Sequence, residues 1–126
     1  MPRPVHFEIH ASDPEKLAGF YRKVFDWKVQ HLPQMDYWLI DTGPGEGING
    51  GMVKRAGPRA PDGAPVNSFV VTIGVPAIDV YLKRVFEAGA TEAVPKMAIP
   101  GVGWQAYVKD PDGNIIGLHE ADTKAK

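Results

Sequence analysis

The sequence predicts an α+β fold of two βαβββ modules, with a concave mixed sheet enclosing a central cavity. Three observations lead to it. The order strand, helix, three strands is read twice along the 126 residues. The only linker-like stretch, Ala56 to Pro65 with three prolines and two glycines, falls between the two readings. The two helices also echo each other, Phe20-Tyr21-Arg22-Lys23-Val24-Phe25 against Tyr81-Leu82-Lys83-Arg84-Val85-Phe86. One such unit is too small to cover both faces of its sheet, whereas two can cover each other and leave a ligand-sized interface. The expected layout is a single domain over residues 1–126: module 4–55, linker 56–66 and module 67–120.

The elements follow in order. Val5 to His10 alternates, with Val5, Phe7 and Ile9 on one face and His6, Glu8 and His10 on the other, which is the period of a half-buried strand. Asp13 can cap a helix that has Pro14 in its first turn. The stripe Leu17, Phe20, Tyr21, Val24 and Phe25 then predicts a helix whose apolar side is core. Asp26 ends it, because Asp tolerates the left-handed conformation. Three strands follow, at Trp27 to Leu32, Tyr37 to Thr42 and Ile48 to Lys54.

The pattern restarts with a buried strand at Asn67 to Ile73. A helix opens at Pro76, with Ile78, Tyr81, Leu82 and Val85 on one face, and is closed by Gly89. Thr91 to Met97 is a strand that Pro95 confines to an edge or makes irregular. Gly103 to Lys109 and Asn114 to Glu120 are strands joined by the Asp110-Pro111-Asp112-Gly113 turn. The tail, Ala121 to Lys126, is expected to fray.

Composition narrows the function. Glycine and proline number 14 and 12, but 44% of residues are hydrophobic, so these residues read as punctuation between short elements. A net charge of −1 gives no footprint for nucleic acid or an acidic membrane. The absence of cysteine removes disulfides, thiolate nucleophiles and thiolate metal sites. No apolar run approaches the ~20 residues of a membrane span, and no apolar signal region follows Met1, so a cytoplasmic location is the expectation. Gly43-Pro44-Gly45-Glu46-Gly47 lacks the Lys-Ser/Thr of a phosphate loop and reads as a hairpin loop. Ser12 and Ser68 lie in no nucleophile context.

Ala18-Gly19-Phe20-Tyr21-Arg22-Lys23-Val24-Phe25-Asp26-Trp27 resembles the first-helix signature of the vicinal oxygen chelate superfamily. That superfamily includes glyoxalase I, bleomycin-resistance proteins and extradiol dioxygenases. Asp110-Pro111-Asp112-Gly113-Asn114 ahead of a last strand resembles it too. Val94 to Gly117 is similar to its small glyoxalase-like members. The resemblance spans essentially the whole chain, with Asp26 standing where a glycine is usual.

The resemblance implies a cavity in which metal-dependent members hold a divalent ion with His and Glu from four strands. His6 matches the first ligand position. Val70 and Gly117 occupy two others and cannot ligate, and Ile48 to Lys54 holds no carboxylate or histidine. A catalytic metal needs about three protein ligands. The expectation is therefore for no resident metal; an ion bound at a rearranged site that includes His6 would be Zn, Ni, Mn or Fe. In glyoxalase I the ion stabilises an enediolate and a Glu shuttles the proton, and both are missing from these positions.

The resemblance turns His6, Glu8 and His10 toward the cavity, and His119 shares parity with Gly117. These four could contact a ligand or form a displaced metal site, or they could be solvated residues of a half-exposed sheet. Trp38, Trp104 and Tyr107 could line the cavity and stack on a planar ligand, or they could be ordinary core. His31 reads as a surface residue. Two functions are carried forward, with a small-molecule partner and a homodimer expected for both. One is a lyase, isomerase or dioxygenase-type enzyme acting on a small oxygenated metabolite. The other is a metal-free protein that binds or sequesters a small molecule, as in the bleomycin-resistance branch. A ligand-free scaffold is a third, weaker reading.

Overall fold

A computed structural model describes residues 2–126. The chain divides into two compact units, residues 6–69 and residues 70–126, the second also taking the start of the first strand through Val5. The first unit holds β1 (Arg3–Ala11), α1 (Pro14–Phe25), β2 (Lys28–Leu32), β3 (Tyr37–Asp41) and β4 (Asn49–Lys54). Its strands run β2-β3-β4-β1, antiparallel except for the parallel pair of β1 and β4. The second holds β5 (Val70–Gly74), α2 (Ile78–Glu87), β6 (Thr91–Ile99), β7 (Gly103–Lys109) and β8 (Ile115–Ala121). It repeats the plan as β5-β8-β7-β6, with β5 and β8 parallel. Parallel strands need a long crossover, and in each unit the helix lies within it. Each unit is thus a βαβββ module of an α+β fold.

Strand alternation decides what each sheet presents. In the first unit Phe7, Ile9, Ala11, Trp38, Ile40 and Met52 form a buried cluster with Ala18 of α1. His6, Glu8 and His10 therefore lie on the face away from α1. In the second unit Ala106 and Leu118 join Ile78 of α2, with Tyr81, Leu82 and Val85 packed against them. Gly117 and His119 are left on the face away from α2.

The helix ends follow local chemistry. The Asp13 side chain accepts the Lys16 N–H at 3.3 Å, and Pro14 begins α1. Asp26 closes it in the left-handed conformation at φ 60°. The α2 helix starts at Ile78, two residues after Pro76, and its cap residue Ala77 has no side-chain bond to offer. Glu120 supplies one from β8, its Oε1 accepting the Ile78 N–H at 2.8 Å. Gly89, at φ 107°, lets the Ala90 N–H turn back to the Val85 carbonyl at 2.9 Å.

Several expectations are corrected. The stripe on α1 is wider than the contact it can make. Ala18 is fully buried with Leu17 and Tyr21 beside it, while Phe20 and Val24 stay 51% and 54% exposed. Small Ala18 brings the helix close to the sheet, so contact centres there and not on the bulkier residues. Strand β5 begins at Val70 rather than Asn67. The tail is anchored: the Ala125 carbonyl accepts the Gly101 N–H at 2.9 Å, the Asp122 N–H reaches the Val102 carbonyl at 2.9 Å, and Ala125 is buried. As Pro95 implied, β6 is an edge strand within its unit, with register shifts on either side of Val94.

Asp13→Ala should remove the cap of α1 and cost about 1 kcal/mol. It should lower the urea midpoint without changing the slope. Glu120→Ala should cost about 1–2 kcal/mol, because it leaves the Ile78 N–H without a partner.

Candidate functional site

In the first unit, β1 and β3 bring three polar side chains together on the face away from α1. The Tyr37 hydroxyl lies 2.8 Å from His6 Nε2 and 3.4 Å from Glu8 Oε2. The first is a short hydrogen bond and the second a long one. A phenol has one proton, so the His6 tautomer sets the direction of the short bond. Tyr37 reaches across because Gly51 of β4 has no side chain: a Cβ there would fall on the Tyr37 hydroxyl and ring. His10 shares the face, but its side chain takes no part in this group; its backbone carbonyl accepts Arg55 Nη2 at 2.8 Å.

The second unit gathers another polar group on the corresponding face. His119 Nδ1 lies 2.9 Å from Gln105 Oε1, and Gln105 Nε2 donates to Thr72 Oγ1 at 3.3 Å. Thr72 and Gln105 are buried polar residues. Burial holds the His119 pKa below its ordinary 6.5, with the Glu120 charge acting in the opposite sense. Gly117 makes this cluster possible. A Cβ there would meet Thr72 Oγ1, Gln105 Nε2 at 2.8 Å and Tyr107 Cε1 at 3.2 Å. Tyr107 therefore belongs to the same face.

The two tryptophans do not. Trp38 and Trp104 alternate onto the helix-covered faces, which corrects the cavity-lining reading of both. Trp38 is core, with its Nε1 donating to Glu15 of α1 at 2.7 Å. That bond and the Arg22 guanidinium hold the Glu15 carboxyl below its usual range. Trp104 packs on the α2 side and donates to Asp122 Oδ2 at 3.0 Å. His31 is exposed, as its surface reading has it, and its ring stacks on Trp38 at 4.2 Å. Tyr37 was missed in the sequence, where it reads only as the first residue of a strand. The available signal was Gly50-Gly51 facing a strand that starts with a large polar aromatic.

Among the described residues no three His, Asp or Glu side chains gather to hold a metal. Of the positions the resemblance assigns to ligands, Val70 offers no donor, Gly117 is covered by Thr72 and Gln105, and β4 carries Gly51 beneath Tyr37. The donor set does not fit the four-ligand centre. A separate surface hollow of about 320 Å³ is lined by residues that include Phe25, Asp26, Lys28 and Asp41, and by none of the candidate residues.

A family model described as a glyoxalase-like domain matches residues 6–119. The chain belongs to the glyoxalase-like family. Glyoxylase-named proteins CFP32 of Mycobacterium tuberculosis and Mycobacterium bovis are each 24% identical over 94% of this chain. The match covers 46% of their own length, so this chain spans about half of those relatives. A glyoxalase/bleomycin resistance protein/dioxygenase superfamily member from Vibrio splendidus 12B01 has the same fold, with TM-score 0.64 and 18% identity. The match covers 95% of this chain and 99% of that one. Methylmalonyl-CoA epimerase from Mycobacterium tuberculosis aligns with TM-score 0.64 and 16% identity over 94% of this chain and 87% of its own. No described helix of this glyoxalase-like chain is long and apolar enough to cross a membrane.

Gly51→Ala should force Tyr37 off β4 and lower stability by about 1–3 kcal/mol. In a Tyr37→Ala background the same change should cost far less, a coupling that a double-mutant cycle of urea midpoints would measure. Because His119 binds its proton less tightly when folded than unfolded, its contribution is present above pH 6.5 and is lost as pH falls through 6.5 toward the folded value. His119→Gln should flatten that part of the stability–pH curve.

Proposed function

We propose that this glyoxalase-like chain acts on a small oxygenated molecule by proton transfer, in the manner of a lyase or isomerase, without a four-ligand metal centre. The observation that carries the reading is the Tyr37 hydroxyl held 2.8 Å from His6 Nε2. A phenol in that position can donate its proton to a ligand oxygen as negative charge develops there; a protonated His6 ring can then return a proton to the phenolate and recover its own from solvent. Glu8 Oε2, 3.4 Å away, accepts that same proton weakly until a ligand oxygen takes its place. Likeness to an epimerase and to glyoxylase-named relatives supports turnover over storage.

A second reading is metal-free sequestration. It is favoured by the side chains that cover Gly51 and Gly117 at or near positions where the family keeps ligands. The two readings separate on one set of measurements. The purified chain is assayed for bound metal, then screened against small hydroxy- and oxo-compounds by thermal shift and by product analysis. Turnover should appear without added metal and fall about 10²–10⁴-fold in Tyr37→Phe. A thermal shift with no product would leave sequestration standing. A stoichiometric ion needed for activity and lost in His6→Gln would sink both.

A further inference from the structure

The second unit carries a site of its own, independent of the Tyr37 reading. The geometry points to Gln105 as a positioning residue that fixes His119 as the Nδ1–H tautomer and leaves Nε2 to accept a hydrogen bond from a hydroxyl-bearing small molecule.

The argument starts from the placement of Gln105. A buried amide costs several kcal/mol if its groups go unmatched, and it adds no apolar packing that a leucine would not. Gln105 has both ends matched, Oε1 to His119 Nδ1 at 2.9 Å and Nε2 to Thr72 Oγ1 at 3.3 Å. A carbonyl oxygen can only accept, so the ring must donate through Nδ1. The remaining lone pair is then on Nε2, to which no described residue bonds. Gly103 keeps space beside it: a Cβ there would stand 3.0 Å from Nε2 and 2.9 Å from Cε1. Burial favours the neutral ring, which alone can accept. The chain Thr72, Gln105, His119 has the logic of a base oriented by a second group that is itself oriented by a third. Because Nε2 offers a lone pair and no charge, the ligand it suits is neutral and protic, such as a phenol or an alcohol.

The test is nitrogen-15 NMR on the full chain, with the His119 signals assigned by their loss in His119→Gln. The wild type should show the Nδ1–H tautomer at neutral pH. Gln105→Glu, whose carboxylate still accepts, should keep that tautomer and raise the His119 pKa by at least about one unit. Gln105→Leu should lose the preference, and Thr72→Val, which frees the amide to turn, should weaken it while keeping the amide fingerprint of the fold. Phenol should then move the Nε2 resonance in the wild type and in Gln105→Glu above its raised pKa, but not in Gln105→Leu. Anisole, the same ring without a donor, should leave it in place. An Nε2–H tautomer in the wild type would overturn the assignment of Gln105. Equal responses to phenol and anisole would overturn the ligand class.

Discussion

Tyr37 can lie against His6 only because the strand it crosses carries glycine at position 51. The same constraint operates in the second unit, where Gly117 makes room for Thr72, Gln105 and Tyr107. In both modules the fourth strand contributes an absence, and neighbouring strands fill it with polar groups from the side. A sheet face normally presents its own alternating side chains; these two present side chains lent by their neighbours. The chemistry of each face is therefore set by residues whose backbones lie one strand away, and each arrangement depends on one missing Cβ.

Helix packing decides which residues are left for that role. Once Ala18 and Ile78 are pressed into their sheets, strand parity takes Trp38 and Trp104 with them. The indoles then spend their N–H groups on Glu15 and Asp122, carboxylates outside the strands that carry the rings. Both indoles are thereby kept off the polar faces, where Leu39 and Met97 are the exposed apolar neighbours of Gly51 and Gln105. Tyr37 on the first face and Tyr107 on the second are aromatic side chains beside the two glycines.

The fold was legible because its signals are local and repeated. Period-two alternation at Phe7 and Ile9, the cap at Asp13, the stop at Gly89 and the turn at Asp110 are each decided within a few residues. Parity put His6 and Glu8 on one face and His119 with Gly117; turning those faces toward a cavity came from the resemblance. What stayed hidden depended on distance or on space. Nothing near Tyr37 in the chain says that it meets His6, 31 residues away. The roles of Gly51 and Gln105 appear only when the strands on either side are aligned. The exposure of Phe20 and Val24 shows the limit of stripe reading: a helix with five apolar positions can bury only those that face the sheet. The tail misled for a related reason, since its polar letters conceal the backbone bond between Ala125 and Gly101.

Glu120 stands next to His119 and faces the first turn of α2, where its carboxylate holds the Ile78 amide. A carboxylate beside a histidine is the usual means of making an imidazolium persist. Here that carboxylate caps a helix on the other face of the strand, and burial outweighs the pull of its charge on the neighbouring ring. Removing the Glu120 carboxylate would loosen the start of α2 and lower the His119 pKa further in the same step. One carboxylate thus serves the start of α2 through a hydrogen bond and the protonation of His119 through its field.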